Sequence, residues 1–444
     1  MRRPRGLTAA AVLLVLPAAV SVHLAGSYEH IGGSYVPRSN VTVHLAMDLD
    51  QEAMADQLAL RTSDGFTAAK AIYLQGGGYL TGVRLPGWRS LQSFATAATT
   101  GSQMHTTSSA CPGCPYATFA QFYNYYGDLD YGDKWVVAAL DGTALTFSNE
   151  QVSGFAPSFS NFALTYTNTY WARVQAASNG VVFLGVWMYV IRQFEHAIDE
   201  CSTSSADSNS AAVHEWDVGV AYWVGSGSRG LSMYGWADTH CQSFGTCGSQ
   251  GNSISGTAKV NLDLLSLYNS GQSLFRDGAC SAVRPILTQI IAKMAIPLIQ
   301  GALKYAYRVR TYGPSGSGSL GSFTSIRDNG DAASYAVALL PLIHTASASA
   351  AATIYSEMNM GNYATDKAAV KAALETAYPT LGITCADVGS LNSQGGLLSS
   401  VPFYTGVALS TGCDPAPPQA PPPSPRPPPL LSPPPSLSPP PSPP

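Results

Sequence analysis

Apolar side chains recur every three or four positions through most of the middle of the chain, the spacing that lines one face of an α-helix. The pattern is clearest in DLDQEAMADQLAL (48–60), VVFLGVWMYVIRQFEHAIDEC (181–201), SAVRPILTQIIAKMAIPLIQGALKYAYRV (281–309), ASYAVALLPLIHTASASAAATIYSEM (333–358) and TDKAAVKAALETAY (365–378). Breakers fall between these runs, at Gly76, Gly77 and Gly78 and in the Gly/Ser stretch from Gly313 to Ser319. Pro297 and Pro341 lie inside two of the runs and are expected to kink or split them. The periodicity predicts an all-α fold, a helical bundle.

A short internal likeness adds a duplication to that expectation. AKAIYLQGGG around Tyr73, VGVAYWVGS around Tyr222 and ATIYSEMN around Tyr355 each place an aromatic near an apolar helix end. In the first two, an aspartate stands 23 residues ahead of the tyrosine, Asp50 before Tyr73 and Asp199 before Tyr222. Two matched helical hairpins, in halves spanning 40–165 and 166–390, account for this spacing.

The ends differ from the middle. MRRPRG followed by LTAAAVLLVLPAAV reads as a secretion signal, residues 1–26, cleaved between Ser21 and Ser27. From 414 to 444 the chain is Ser/Pro-rich and holds more than half of its 31 prolines, a disordered polyproline II tail of cell-wall type. The part between, 27–413, is expected to be the secreted folded domain. Its apolar run at 181–191 is too short to span a bilayer, and the stretch 286–306 is interrupted by Gln289, Lys293, Gln300 and Lys304, so no membrane span is expected in the mature form. Eight cysteines in an exported chain predict disulfides, with Cys241 and Cys247 the easiest local pair. CPGC, Cys111 to Cys114, reads as a structural pair before a redox or zinc half-site. Asn40-Val41-Thr42 is a glycosylation sequon and fits a secreted glycoprotein. A net charge of −4 with scattered basic residues excludes an electrostatic nucleic-acid footprint.

Only 11% of residues are charged, which makes the acidic positions informative. Glu195 and Asp199 share a helix face, as do His196 and Glu200, and no lysine neutralises either pair. Buried carboxylates in that arrangement need a proton or a cation. In HEWDVGVAYWVGS (214–226), helical rotation puts Trp216 and Trp223 on one face, expected to be core, Glu215 and Tyr222 on another, and His214 with Asp217 on a third. If the acidic faces look across to the EHAIDE segment, they form with it an oxygen-rich set suited to a hard ion such as iron. If they look outward, they are a solvated helix edge. Tyr234, Asp238 and His240 add ligands or cap a helix, His344 reads as a satisfied core histidine, and Asp48, Asp50 and Glu52 form an acidic first turn. No nucleotide-binding loop, zinc-protease motif or nucleophile elbow is present, and no enzymatic turnover is expected.

WDVGVAYWVGS, MYGWADTHCQSFGTC, IPLIQGALKYAYRV, AAVKAALETAYPTLGITCADVG and AKAIYLQGGGY together resemble the iron-assimilating periplasmic proteins of green algae, from about Val41 to Val388. Those proteins are distantly akin to algal phytotransferrins. The resemblance implies a secreted protein of the periplasm or cell wall that binds iron, with carbonate or bicarbonate as a synergistic anion, and hands it to uptake machinery at the cell surface. It implies metal ligands among Glu195, Asp199, Glu215 and Asp217, to which the reading of the residues themselves adds Tyr222 and Asp238. His240 stands where the family pattern has an arginine, and GGGY replaces an Asn-Ser in the first segment. The competing reading is a structural or adhesive hydroxyproline-rich wall glycoprotein without metal, bound to other wall glycoproteins through its tail.

Overall fold

The structure, a computed structural model, describes residues 30–76, 88–96, 104–149, 161–163, 169–203, 210–227, 230–312 and 323–391. Residues 1–26, expected to be a secretion signal, the Ser/Pro-rich stretch 414–444, Gly77, Gly78, the 313–319 loop, Cys413 and the junction at 165/166 lie outside the described residues. Among the described residues every regular element is helical, and extended pairing is limited to isolated bridges. The helices are α1 (Thr42–Leu45), α2 (Met47–Ala59), α3 (Ser63–Gln75), α4 (Gln92–Ala95), α5 (Ala117–Tyr126), α6 (Tyr131–Asp141) and α7 (Thr169–Gly180), the last running through a π-helical turn (Val181–Val186) into α8 (Trp187–Thr203). They continue with α9 (Ser210–Val224), α10 (Met233–Phe244), α11 (Lys259–Arg276), α12 (Cys280–Tyr312), α13 (Phe323–Ala346), α14 (Ala348–Glu357), α15 (Lys367–Leu381) and α16 (Cys385–Val388).

Local chemistry sets many of the boundaries. Thr62, Ser232, Ser347 and Asp366 each accept a backbone amide of the helix they precede, and Gly127, Gly142, Gly245 and Gly382 close helices in the left-handed conformation. The prolines do not split their helices as the sequence suggests, since α12 runs through Pro285 and Pro297 and α13 through Pro341. Pro341 cannot donate to the Val337 carbonyl four residues earlier, and the Tyr126 hydroxyl takes that place at 2.5 Å. The run from 333 to 358 breaks instead at Ser347, where a new N-cap begins α14.

Packing is pairwise along the chain. α2 packs on α3, α8 on α9, α12 on α13, and α7 lies against both α6 and α13. The two hairpins α2/α3 and α8/α9 carry the matched Asp50–Tyr73 and Asp199–Tyr222 pairs, and all four residues are buried. One contiguous hydrophobic core reaches from Ile31 to Leu391. Trp216 and Trp223 are fully buried in it, and Trp216 lies so close to Gly271 that a Cβ there would sit 2.2 Å from the indole.

The run 181–191 is part of a longer continuous helix than its apolar stretch suggests. Tyr170–Thr203 and Cys280–Val309 are both long and apolar enough to cross a membrane by length and composition, which corrects the expectation for these segments. Their most apolar windows are 83% and 67% buried inside the fold, so that surface is spent on neighbouring helices. Cys201–Cys280 ties the end of α8 to the start of α12, Cys241–Cys247 closes the end of α10, Cys111–Cys114 closes a hairpin ahead of α5, and Cys385 is also disulfide-bonded.

Candidate functional site

The acidic side chains predicted from sequence occupy separate environments around α8 and α9. Asp217, fully buried, faces the N-terminal segment and α11. One carboxylate oxygen accepts from the Tyr35 hydroxyl and from Gln272 Nε2 at 2.8 Å, and the other from the Arg38 and Ser39 amides and the Ser39 hydroxyl at 2.7–2.9 Å. Asp199 accepts from Thr106 Oγ1 at 2.7 Å and the Thr107 amide at 2.9 Å, with the Tyr116 hydroxyl at 3.4 Å. The cation that Glu195 lacks on its own helix arrives from α12 as Arg284. Burial raises the Glu195 carboxyl above its ordinary value, with Arg284 opposing and Asp199 adding to the rise. Asp238 anchors the start of α11, accepting from the Ala258 amide at 2.7 Å and Asn261 Nδ2 at 2.9 Å, and burial raises its pKa.

Glu215 and Tyr222 lead to a different place. Glu215 is half-buried and meets α8 through Gln193 Nε2 at 2.7 Å, His196 Nδ1 at 3.5 Å and Arg192 at 3.8 Å. Burial opposes its ionisation, but the neighbouring His196, with Arg192 and His214, outweighs that and holds its pKa below the ordinary value. One α9 turn-pair further on, the Tyr222 hydroxyl lies 2.7 Å from His44 Nδ1, which α1 brings against α9. Burial holds the phenol well above its ordinary pKa, with Tyr189 and Glu215 adding and Arg89 and Arg192 opposing, so it carries its proton at neutral pH. His44 is pushed down to about 4 by burial, His214 and Arg89, and is therefore neutral.

Aromatic rings wall this cluster. Phe94 meets both Tyr189 and Tyr222 edge-on at 5.0 Å, and the His214 ring is 6.2 Å from His44. Arg89 and Arg192 lie over the Tyr189 ring at 4.7 Å and 5.4 Å. The junction of α1, α8 and α9 thus gathers a phenol, neutral imidazole, an ionised carboxylate and two guanidinium groups. Among the described residues no three His, Cys, Asp or Glu side chains come close enough together to hold a metal ion by themselves. His44, Arg89, Tyr189 and Arg192 were not marked by sequence reasoning. His44 follows the sequon with no periodicity to distinguish it, and its partner Tyr222 is 178 residues away.

Other polar positions resolve into packing. Asp48 accepts from the Ser226 amide at about the turn after α9, Asp50 from Trp88 Nε1 at 2.9 Å, and the Tyr73 hydroxyl donates to Asp133 at 2.9 Å. His240 is fully buried with Nε2 2.7 Å from the Tyr335 hydroxyl, and His344 lies half-buried against Tyr125.

No curated protein and no solved structure matches the chain. A family model described as Fea1, low iron-inducible periplasmic protein, matches residues 10–396, which takes in all of the described residues. The chain accordingly belongs to the Fea1 family of low iron-inducible periplasmic proteins.

Proposed function

We propose that this periplasmic protein captures ferric iron outside the plasma membrane and holds it for uptake at the cell surface, without turnover chemistry. The cargo site is assigned to the junction of α1, α8 and α9. The observation that carries the assignment is the Tyr222 hydroxyl 2.7 Å from a neutral His44, with the ionised Glu215 on the same helix. Ferric iron is a hard ion that favours phenolate and carboxylate oxygen, and both ligand types come from the sequence-predicted set. Arg89 and Arg192 supply positive charge for carbonate or bicarbonate as a companion anion. Glu195, Asp199, Asp217 and Asp238, whose oxygens are engaged by protein donors, hold the helices that frame the site. The Ser/Pro tail would keep the loaded protein in the wall through other wall glycoproteins, near the uptake machinery.

The chemistry sets a proton account. Tyr222 keeps its proton until a cation binds, so loading releases that proton and weakens as pH falls. Purified protein titrated with ferric citrate, with and without bicarbonate, is expected to bind iron at micromolar concentration and to develop a visible tyrosinate-to-iron band. Tyr222→Phe should abolish the band and lower affinity at least about tenfold, and Glu215→Gln should lower affinity with the band retained. Absence of binding at micromolar iron sinks the reading, and binding that survives both substitutions places the site elsewhere.

A further inference from the structure

The disulfides differ in how much of the fold depends on them. Cys241 and Cys247 are completely buried, and Cys201, also buried, joins helices 79 residues apart in sequence. Cys111–Cys114 spans three residues, with Cys111, Pro112 and Gly113 exposed and Cys114 half-buried. The hairpin around it is closed without the sulfur bond. Thr106 N donates to Cys114 O at 2.8 Å, Gly113 N to Thr106 O at 3.1 Å and Tyr116 N to Met104 O at 3.1 Å, while His105 Nδ1 contacts Gly113 O at 2.7 Å. Gly113, at a φ of +79°, makes the turn that places the two cysteines together. A bond so short in sequence restrains the unfolded chain least, and here it repeats a closure that backbone hydrogen bonds already make.

From these observations we infer that Cys111–Cys114 is an exchangeable disulfide, a site for thiol–disulfide exchange with an extracellular dithiol oxidoreductase. This stands apart from the iron assignment. The partner's thiolate attacks the exposed Cys111 Sγ, the sulfur–sulfur bond breaks, and its electron pair leaves on Cys114 Sγ. Cys114 lies two residues ahead of Tyr116, the N-cap of the ten-residue α5, and is half-buried where Cys111 is exposed, so attack from outside falls on Cys111. The partner's second thiol then attacks its own sulfur in the mixed disulfide and releases Cys111. The cysteine pair gains two electrons and two protons, and the partner becomes a disulfide. Because Asp199 is held by Thr106, Thr107 and Tyr116, the exchange takes place on the hairpin that covers the acidic end of α8.

Three measurements test this on the full chain. Equilibrated in glutathione buffers of rising thiol-to-disulfide ratio and alkylated, Cys111 and Cys114 should label together at a ratio at least about tenfold below that needed for Cys201, Cys280, Cys241 and Cys247, with helical circular dichroism unchanged. Labelling in step with the others, or only with loss of helicity, overturns the inference. The double variant Cys111→Ser with Cys114→Ser should keep its helicity and melt within a few degrees of the parent, and a collapsed fold would make the pair a brace. Incubated with a thioredoxin whose resolving cysteine is replaced, the protein should form a mixed disulfide on Cys111. An adduct on Cys114, or none, overturns the order of attack and with it the site.

Discussion

His44 with Tyr222 and His240 with Tyr335 make the same contact, imidazole nitrogen to phenol oxygen at 2.7 Å, in two regions that otherwise share little. His240 is sealed in the core, stacked on Trp236, with Nδ1 unpartnered, and burial followed by the charge of Lys304 drives its pKa well below the ordinary value. On α12 and α13, Arg308 Nε meets Asp328 at 2.9 Å, while Asp331 accepts from the neutral Asn179 of α7 at 2.9 Å, and burial raises its pKa to about 7. His44 is half-buried, and the groups around it are of mixed kind, with Glu215, His214 and Arg89 all within its field. The contact distance therefore does not distinguish a binding group from a structural one. What distinguishes them is that His240 is sealed in a closed interior, whereas His44 is half-buried among charged groups of mixed sign.

The largest test of that contrast is removal of a matched ion from the sealed region. Arg308→Met leaves Asp328, fully buried, without its counter-ion and should cost about 3–5 kcal/mol in urea denaturation. Arg192→Met near the open pair should cost about 1 kcal/mol or less, because Glu215 keeps Gln193 and His196. Equal costs would erase the distinction.

Acidification should act on Asp331 and His44 with opposite signs. Burial raises Asp331 to about 7, so between the unfolded value near 4 and pH 7 the folded state holds a proton that the unfolded chain has released, and stability falls as pH rises. His44 is lowered to about 4, so between pH 4 and its unfolded value near 6.5 the unfolded chain holds the extra proton, and stability rises with pH. Relative to the parent, Asp331→Asn should steepen the climb of stability from pH 4 to 6.5 by about 1–3 kcal/mol, and His44→Asn should flatten it, with His240 still contributing to the climb in both. Denaturation curves at intervals of pH check both slopes, and parallel slopes in the two variants would break the comparison.

Much of the helical architecture could be read from apolar spacing, because three-and-four periodicity is a local consequence of burying one helix face. The tryptophan face of HEWDVGVAYWVGS was legible for the same reason. The break at Ser347 was hidden in an alanine-rich run whose only marker is a serine cap, and the continuity through Pro341 depends on Tyr126, more than 200 residues away. The need of Glu195 for a cation could be seen in the sequence, but not that Arg284 meets it, since ionic partners across helices have no spacing rule. Asp217 looked like a free ligand because its five donors lie in the chain near Tyr35 and on α11. Glu215 and Tyr222 were found as types, whereas His44, Arg89 and Arg192 join them only when α1 docks on α9 and the helices fold together.

The finest test replaces each phenol in the two pairs. Tyr335→Phe removes the partner of His240 Nε2 while Nδ1 is already unpartnered, leaving a buried imidazole with no hydrogen bond, at a cost of about 1–3 kcal/mol. Tyr222→Phe deletes one neutral hydrogen bond beside a half-buried His44 and keeps the ring against Phe94 and Tyr189, so about 0.5–1.5 kcal/mol is expected. The two substitutions should then part company on iron. Tyr335→Phe, however destabilising, leaves affinity and the visible band unchanged in whatever fraction is folded, whereas Tyr222→Phe changes both at little cost to stability. If instead Tyr222→Phe were the more destabilising and the iron band persisted, the His44 cluster would be core of the same kind as His240, and the open region would lose its claim to the cargo.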